Sequence, residues 1–160
     1  MGVHARKVIP ALGAIAAIAA IGASTASGAN STSPKGPGQI RITDVQTSYS
    51  LVRGRTRPHG AGAVELVKQR LYNPSISSKP IGRSTLMCTY FDPHDRTCVG
   101  TYFLPKGSLV VAGTIQSRLI YEIPVVGGTG VYTNDRGTLT VTSTRLRPVR
   151  HEVLVFRLTD

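Results

Sequence analysis

Motifs of several common enzyme classes are missing from this 160-residue sequence. It contains no G-x-S-x-G nucleophile elbow and no H-E-x-x-H zinc motif, and its glycine cluster lacks the strand–helix context of a phosphate-binding loop. Asp and Glu together number only 8, and their spacing is not that of a paired-carboxylate hydrolase. The sequence therefore implies no cofactor and no metal.

A long membrane-spanning run is also missing. The apolar run near the N-terminus, residues 8–23, is shorter than the about 20 residues that a membrane span needs. Positive residues precede it, and a small-x-Ala cleavage pattern follows it, which is the layout of a secretory signal peptide. We therefore predict that residues 1–29 are removed on export, that the protein is secreted, and that no stable membrane insertion follows cleavage. An uncleaved anchor is the alternative.

Acidic residues are scarce relative to basic ones. Against 8 Asp and Glu stand 19 Lys and Arg, so the formal net charge is +11 at pH 7. Six of the arginines lie in two clusters, Arg53–Arg57 and Arg145–Arg150, beside Pro or Gly, which is typical of loops. Such charge attracts anionic polymers without specific design. We predict solvated loops and no specific nucleic-acid binding, with a basic envelope or host-interaction protein as the alternative.

Strand patterns fill the chain after the polar tract 30–38, which we interpret as a flexible leader. The segments are rich in Val, Ile, Thr, Tyr and Phe and are bounded by Gly, Pro, Asp or Asn. They are 39–49, 64–72, 83–91, 96–103, 108–114, 119–126, 137–144 and 152–158. The second segment also fits a helical turn. Residues 39–160 are thus predicted to form a single all-β domain, an eight-stranded antiparallel closed β-barrel, with a β-sandwich as the competing fold.

The two cysteines predict a strand register. Cys88 and Cys98 flank a loop with an Asp-Pro turn signal, and if they face each other across a hairpin, Tyr90 lies opposite Arg96. Export supplies an oxidising compartment, so an even pair predicts a disulfide. The neighbouring Asp92, His94 and Asp95 are too few for a metal site and are ordinary turn residues.

Both faces of this hairpin carry apolar residues. Alternation places Leu86, Cys88, Tyr90, Cys98, Gly100 and Tyr102 on one face. It places Met87, Phe91, Val99, Thr101 and Phe103 on the other. In a barrel the second face meets water, and such an exposed stripe marks an interface unless a loop or the leader covers it.

The segment 127–141, GGTGVYTNDRGTLTV, is the most informative motif in the chain. Its glycines before an alternating strand predict a tight sheet corner. The segment resembles the GGTG-x-Y/F…ARG element of plant dirigent proteins and allene oxide cyclases, and the resemblance extends over residues 39–158. It implies a small barrel with an internal pocket, and trimers formed through the outer faces of the barrels.

The resemblance also implies site residues. Asp44 is the acid nearest to the catalytic carboxylate of the cyclases, Gln69 matches their pocket asparagine, Cys88 their pocket cysteine, and Arg136 the arginine of the dirigent element. Ile115 stands where the cyclases have a pocket tyrosine, and a disulfide would remove the free thiol of Cys88. These departures favour a dirigent-type function over allene oxide cyclisation.

Two of these residues are the catalytic candidates, Asp44 and Arg136. Burial in a pocket would raise the pKa of Asp44 and make it an acid or base, although capping a turn or pairing with an arginine is the simpler role. Arg136 would neutralise an oxyanion, or be a solvated contact. We expect both side chains to point inward at one end of the barrel, together with Gln69. Further pocket-lining candidates, with core packing as the alternative, are Tyr90, Tyr102 and Tyr132.

Three functions stay open at this point. The leading one is a secreted allene oxide cyclase- or dirigent-like barrel that binds a small apolar or phenolic molecule and guides its cyclisation or stereoselective coupling, as an isomerase without a cofactor. The second is a non-catalytic carrier of the same small-molecule ligand. The third is the basic envelope or host-interaction protein. A filled barrel interior would exclude the first two.

Overall fold

Eight strands make up most of the backbone that the computed structural model describes, which covers residues 36–52, 58–74, 79–144 and 150–159. Contacts divide the chain into Met1–Ser31 and Thr32–Asp160, and every described residue lies in the second unit. The predicted signal peptide, most of the leader and the arginines at 53–57 and 145–147 lie outside the described residues. The strands are β1 Gln39–Val52, β2 Val64–Tyr72, β3 Gly82–Tyr90, β4 Asp95–Leu104, β5 Gly107–Gln116, β6 Ile120–Gly128, β7 Arg136–Thr144 and β8 His151–Thr159.

The strands form one closed antiparallel barrel in chain order. Each strand pairs with the next, and β8 pairs with β1 to complete the ring. The predicted closed barrel is therefore confirmed, a sandwich is excluded, and 64–72 is a strand. A single turn of 3-10 helix, Gly130–Tyr132, is the one helical element within the described ranges, where no helix is long and apolar enough to cross a membrane.

The two ends of the barrel differ in their inward side chains. An apolar core fills the end at which β1, β3, β5 and β7 begin, because alternate residues of each strand point inward there. Its members include Leu71, Leu109, Leu139, Leu154 and Phe156, each 0% exposed. Polar residues take some of the other inward positions, namely Asp44, Glu65, Gln69 and Ser84, and Glu65, at the start of β2, lies toward the other end.

The glycine-rich segment closes the apolar end of the barrel. Gly137 has a φ of 144°, and a Cβ there would lie 1.9 Å from the backbone oxygen of Arg157 on β8. Gly130, with a φ of 65°, begins the 3-10 turn that packs Tyr132 into the barrel. The predicted tight sheet corner is confirmed, and its cause is the close approach of neighbouring backbones.

The predicted register of the β3–β4 hairpin is also confirmed. Cys88 lies opposite Cys98, Tyr90 opposite Arg96 and Leu86 opposite Gly100. The two cysteines form a disulfide with their Cα atoms 4.0 Å apart, and both are buried.

The outer face of the same hairpin is apolar and exposed. Met87 is 49%, Val99 48%, Phe103 39% and Phe91 58% exposed, so the described residues leave much of this stripe uncovered, although the Arg83 guanidinium lies over the Phe103 ring. The predicted division of the hairpin into two faces is therefore confirmed.

Loss of the disulfide should weaken the barrel measurably. The cross-link joins residues 10 apart in sequence, for which chain entropy gives a stabilisation of about 2–3 kcal/mol. We expect reduction of the wild-type protein to lower its free energy of unfolding by this amount in urea titrations. The double variant Cys88→Ala/Cys98→Ala should behave like the reduced protein and be insensitive to reductant. Equal stability with and without reductant would show that the cross-link contributes nothing.

Candidate functional site

A cavity opens at the polar end of the barrel, where β1, β3, β5 and β7 end. Its volume is about 800 Å³, within the range of small-molecule sites. We call it the inner cavity. Its wall contains Asp44, Gln46, Glu65, Val67, Gln69, Leu86, Cys88, Arg96, Ser117, Arg118, Leu119, Tyr121, Ser143, Thr144, Arg150, His151 and Glu152.

Asp44 is the most deeply buried acid in this wall, at 0% exposure. It lies on β1 between Leu71 of β2 and Glu152 of β8, and its side chain points into the barrel. The backbone N–H of Glu152 donates to Asp44 Oδ1 over 3.0 Å, and the Gln69 amide Nε2 donates to Asp44 Oδ2. The predicted inward positions of Asp44 and Gln69 are therefore met, on neighbouring strands.

The environment of Asp44 favours its neutral form. Burial, and next the negative charge of Glu152, raise the pKa of Asp44 to about 8, while the hydrogen bond from the Glu152 backbone acts in the opposite direction. A carboxyl group with this pKa is mostly protonated at pH 7. It can therefore donate a hydrogen bond or a proton into the cavity.

Gln69 connects two carboxyl groups. Besides Asp44, its Nε2 donates to Glu152 Oε2 over 3.4 Å, and its Oε1 accepts a hydrogen bond of 2.6 Å from Ser84 Oγ. Glu152 Oε1 in turn accepts from Ser143 Oγ over 2.8 Å. This network fixes the orientation of the Asp44 carboxyl before any ligand enters.

A second polar cluster lies nearer the rim. Tyr90 donates its phenol proton to Glu65 Oε2 over 2.5 Å, and Arg96 Nη1 donates to the same phenol oxygen over 2.6 Å. Burial, followed by the hydrogen bond to Glu65, raises the pKa of Tyr90 to about 12. The cluster lines a pocket of about 460 Å³, which we call the mouth pocket. Its wall consists of Gln46, Tyr49, His59, Glu65, Tyr90, Pro93, Arg96, Ser117 and Arg150.

Sequence reasoning missed several residues of these two pockets. Glu65 was not among the candidates, and Arg96 entered only as the residue opposite Tyr90. Two signals were available. The hairpin register placed Arg96 beside Tyr90, and alternation along β2 puts Glu65 on the same face as Gln69. Tyr121 also lines the inner cavity, where burial raises the pKa of its phenol well above the usual value. No pattern in the sequence pointed to Tyr121.

The predicted inward position of Arg136 is wrong. Its side chain is exposed and donates to the backbone carbonyl of Asp135 over 3.3 Å. Arg136 pairs with Thr159 whereas Asp44 pairs with Glu152, and seven residues of β8 separate these partners by about 23 Å. The two catalytic candidates thus lie at opposite ends of the barrel.

Of the three candidate tyrosines, Tyr90 alone lines one of the two pockets described above. Tyr102 is 1% exposed and stacks edge-on against Phe156, with ring centroids 5.1 Å apart. Tyr132 is buried at the glycine-rich corner. Tyr102 and Tyr132 are therefore packing residues, which corrects their prediction as pocket residues.

The described residues contain no group of three or more His, Cys, Asp or Glu side chains that would hold a metal ion. The turn residues Asp92, His94 and Asp95 are bound to one another instead. Asp92 Oδ1 accepts the backbone N–H groups of His94 and Asp95 over 2.7 and 2.9 Å, which is ordinary turn chemistry.

Comparison with known proteins identifies the fold. Neither models of protein families nor curated proteins give a match. Among solved structures, a pyocyanin demethylase aligns with a TM-score of 0.64 at 20% identity, over 76% of this chain and 99% of its own. The chain therefore shares the barrel fold of this protein. A pterocarpan synthase dirigent protein aligns with a TM-score of 0.58 at 18% identity over 74% of this chain and 86% of its own. A Diels-Alderase from Streptomyces koyangensis aligns with a TM-score of 0.60 at 18% identity over 76% of this chain and 64% of its own.

The barrel of this chain thus has one packed end and one hollow end. The walls of the inner cavity and the mouth pocket hold the Asp44 carboxyl with its raised pKa, the bridging amide of Gln69, three tyrosines and three arginines. This combination supplies proton donors and hydrogen-bond donors without a metal.

Proposed function

We propose that this barrel binds a small organic molecule in the inner cavity and guides its cyclisation by proton donation from Asp44. The observation that carries the proposal is the buried Asp44 carboxyl, whose pKa of about 8 keeps it protonated in the wall of a cavity of about 800 Å³. A buried acid with a raised pKa makes the folded protein less stable as pH rises. A group that carries this cost in the wall of an open cavity is a candidate for a functional role.

The chemistry follows from the contacts of Asp44. As negative charge develops on a ligand oxygen, Asp44 donates its proton to that oxygen. The resulting carboxylate is stabilised by two donors already in place, the Gln69 amide and the Glu152 backbone N–H. Release of a proton from the ring-closed product restores the acid, so the net reaction is an isomerisation. The rigid wall of the barrel adds the benefit of holding the reacting atoms close together.

The comparisons support a small-molecule function. By their names, the similar structures act on pyocyanin, make pterocarpans or catalyse a [4 + 2] cycloaddition. All three share the barrel and differ in chemistry, so the fold alone does not determine the reaction.

Export and self-association belong to the same proposal. The disulfide between Cys88 and Cys98 supports an oxidising destination, together with the signal-peptide pattern at residues 1–29. The exposed stripe on the outer face of β3 and β4 supports contact with a second copy of the chain.

Native mass spectrometry should reveal the ligand. We expect the mature protein, incubated with an organic extract of medium from producing cells, to retain one small molecule per barrel. Chromatography of the released molecule should show conversion to an isomer of equal mass. The variant Asp44→Asn should keep the adduct but convert it at least about 100-fold more slowly, since general acid catalysis contributes this much or more.

The control variant Val67→Trp fills the inner cavity and should lose the adduct while remaining folded. Retention of the adduct in Val67→Trp would place binding elsewhere. Binding by the wild type without conversion would make the protein a carrier and would overturn the catalytic part of the proposal.

A further inference from the structure

The mouth pocket carries an excess of positive charge. Two guanidinium groups, Arg96 and Arg150, share its wall with one carboxylate, Glu65. The Arg96 side chain is only 18% exposed, so its charge lies largely out of water. The chain as a whole has a formal net charge of +11, which draws anions toward such a pocket.

The contacts of Arg96 leave part of its guanidinium free for a ligand. Within the described ranges its hydrogen bonds, to Tyr90 and Glu65, all use Nη1. The guanidinium also lies over the Tyr90 ring, with Cζ 5.4 Å from the ring centroid. Tyr90 and Glu65 therefore fix the direction of Arg96, while Nη2 keeps its donors for another group. A fixed, partly desolvated guanidinium is an effective anchor for an oxyanion.

The mouth pocket and the inner cavity adjoin. Gln46, Glu65, Arg96, Ser117 and Arg150 line both of them. A molecule with its apolar body against Val67 and Leu86 would therefore reach Arg96 with a group at its outer end. Asp44 lines the inner cavity but not the mouth pocket, whereas Arg96 lines both.

We propose that the ligand is an organic anion, whose carboxylate or ionised phenol binds Arg96 at the mouth pocket while its apolar body fills the inner cavity. This inference rests on the proposed small-molecule function and narrows its substrate class. A neutral ligand would leave the excess positive charge of the mouth pocket uncompensated, and a cationic ligand would add to it.

A pair of probes that differ mainly in charge tests the inference. Cinnamate and cinnamamide have the same apolar body, so titration calorimetry at pH 7 isolates the contribution of the carboxylate. We expect wild-type protein to bind cinnamate about tenfold or more tightly than cinnamamide, since close charge pairs at fixed donors discriminate by this much. Arg96→Gln should reduce this ratio to about one. 4-Nitrophenol, titrated below and above its own pKa, tests the ionised phenol in the same way.

Arg157→Gln is the matched control, because it removes the same charge from an exposed arginine that contacts Thr140 rather than either pocket. It should leave the preference for cinnamate unchanged. Tyr90→Phe keeps the charge of Arg96 but removes the phenol that orients it, so a partial loss of the preference is expected. If Arg96→Gln does not fold, the preference for cinnamate over cinnamamide is measured in Tyr90→Phe and Arg150→Gln, and it should fall in both.

The outcomes separate this inference from the proposed function. Equal affinity of the wild type for the charged and neutral probes, or a preference that survives in Arg96→Gln, would overturn the oxyanion site. If the protein prefers anions but never converts its ligand, the oxyanion site stands and the catalytic proposal is wrong.

Discussion

Replacing Asp44 with asparagine is expected to stabilise the barrel at pH 8 by about 3–5 kcal/mol. The pKa of Asp44 rises from 3.8, its ordinary value, to about 8 in the folded protein. Between these values the folded state holds a proton that the unfolded state has lost, so rising pH favours unfolding. The stability that the protonated Asp44 carboxyl contributes is fully present below about pH 4 and is lost as pH rises through about 8, at about 1.4 kcal/mol per pH unit.

Urea unfolding between pH 4.5 and about 8.5 measures this effect. The wild type should lose stability with rising pH, while Asp44→Asn should lose much less. Asparagine fits the site if the Gln69 amide turns to present its oxygen to Asn and its nitrogen to Ser84, a turn that gives up only the long hydrogen bond from Gln69 to Glu152. Asp92→Asn is the matched control, since Asp92 is an exposed turn carboxylate with a lowered pKa. Parallel curves for the wild type and Asp44→Asn would show that Asp44 is ionised in the folded state and would remove it as an acid.

The Gly137→Ala variant is expected to be the most damaging conservative substitution in the glycine-rich segment. The new Cβ would lie 1.9 Å from the Arg157 oxygen at a φ of 144°. Relief of this clash requires β7 to move away from β8, which would open the barrel wall. We expect a loss of more than about 3 kcal/mol in the free energy of unfolding, in the range of severe backbone and packing defects.

Gly62→Ala provides the control for this prediction. Gly62 also has a positive φ, 82°, but a Cβ there would meet nothing within 4 Å. Its substitution should cost only about 1 kcal/mol, the conformational cost of alanine in this region. Chemical denaturation of both variants compares their free energies of unfolding. The difference separates the cost of a positive φ in alanine from the cost of the clash with β8. Similar losses in the two variants would show that the closeness of β8 does not matter.

Much of the fold was predictable because its determinants are local. Alternation within each strand and the turn residues between strands specify eight segments, and the Cys88–Cys98 pair fixes one hairpin register from sequence positions alone. The same register placed Tyr90 inward opposite Arg96. The short spacing of the segments favoured closure, which the pairing of β1 with β8 confirms.

The site was only partly predictable, and Arg136 shows why. Its match to a motif beside the glycine-rich corner said nothing about which end of the barrel that corner occupies. The inward residues of a strand repeat at both ends, so alternation alone cannot assign them to a cavity or to a packed core. Tyr102 and Tyr132 were misplaced for the same reason, because they belong to the packed end.

The sequence by itself determined the strands, the hairpin register and the glycine corner, since each depends on residues close together in the chain. Tertiary structure alone decided the chemistry of the hollow end. Gln69 meets Asp44 across 25 residues and Glu152 across 83, and Arg96 meets Glu65 across 31. Only closure of the ring buries these groups together. That burial raises the pKa of Asp44 from 3.8 to about 8, so that the carboxyl group can act as a proton donor at neutral pH.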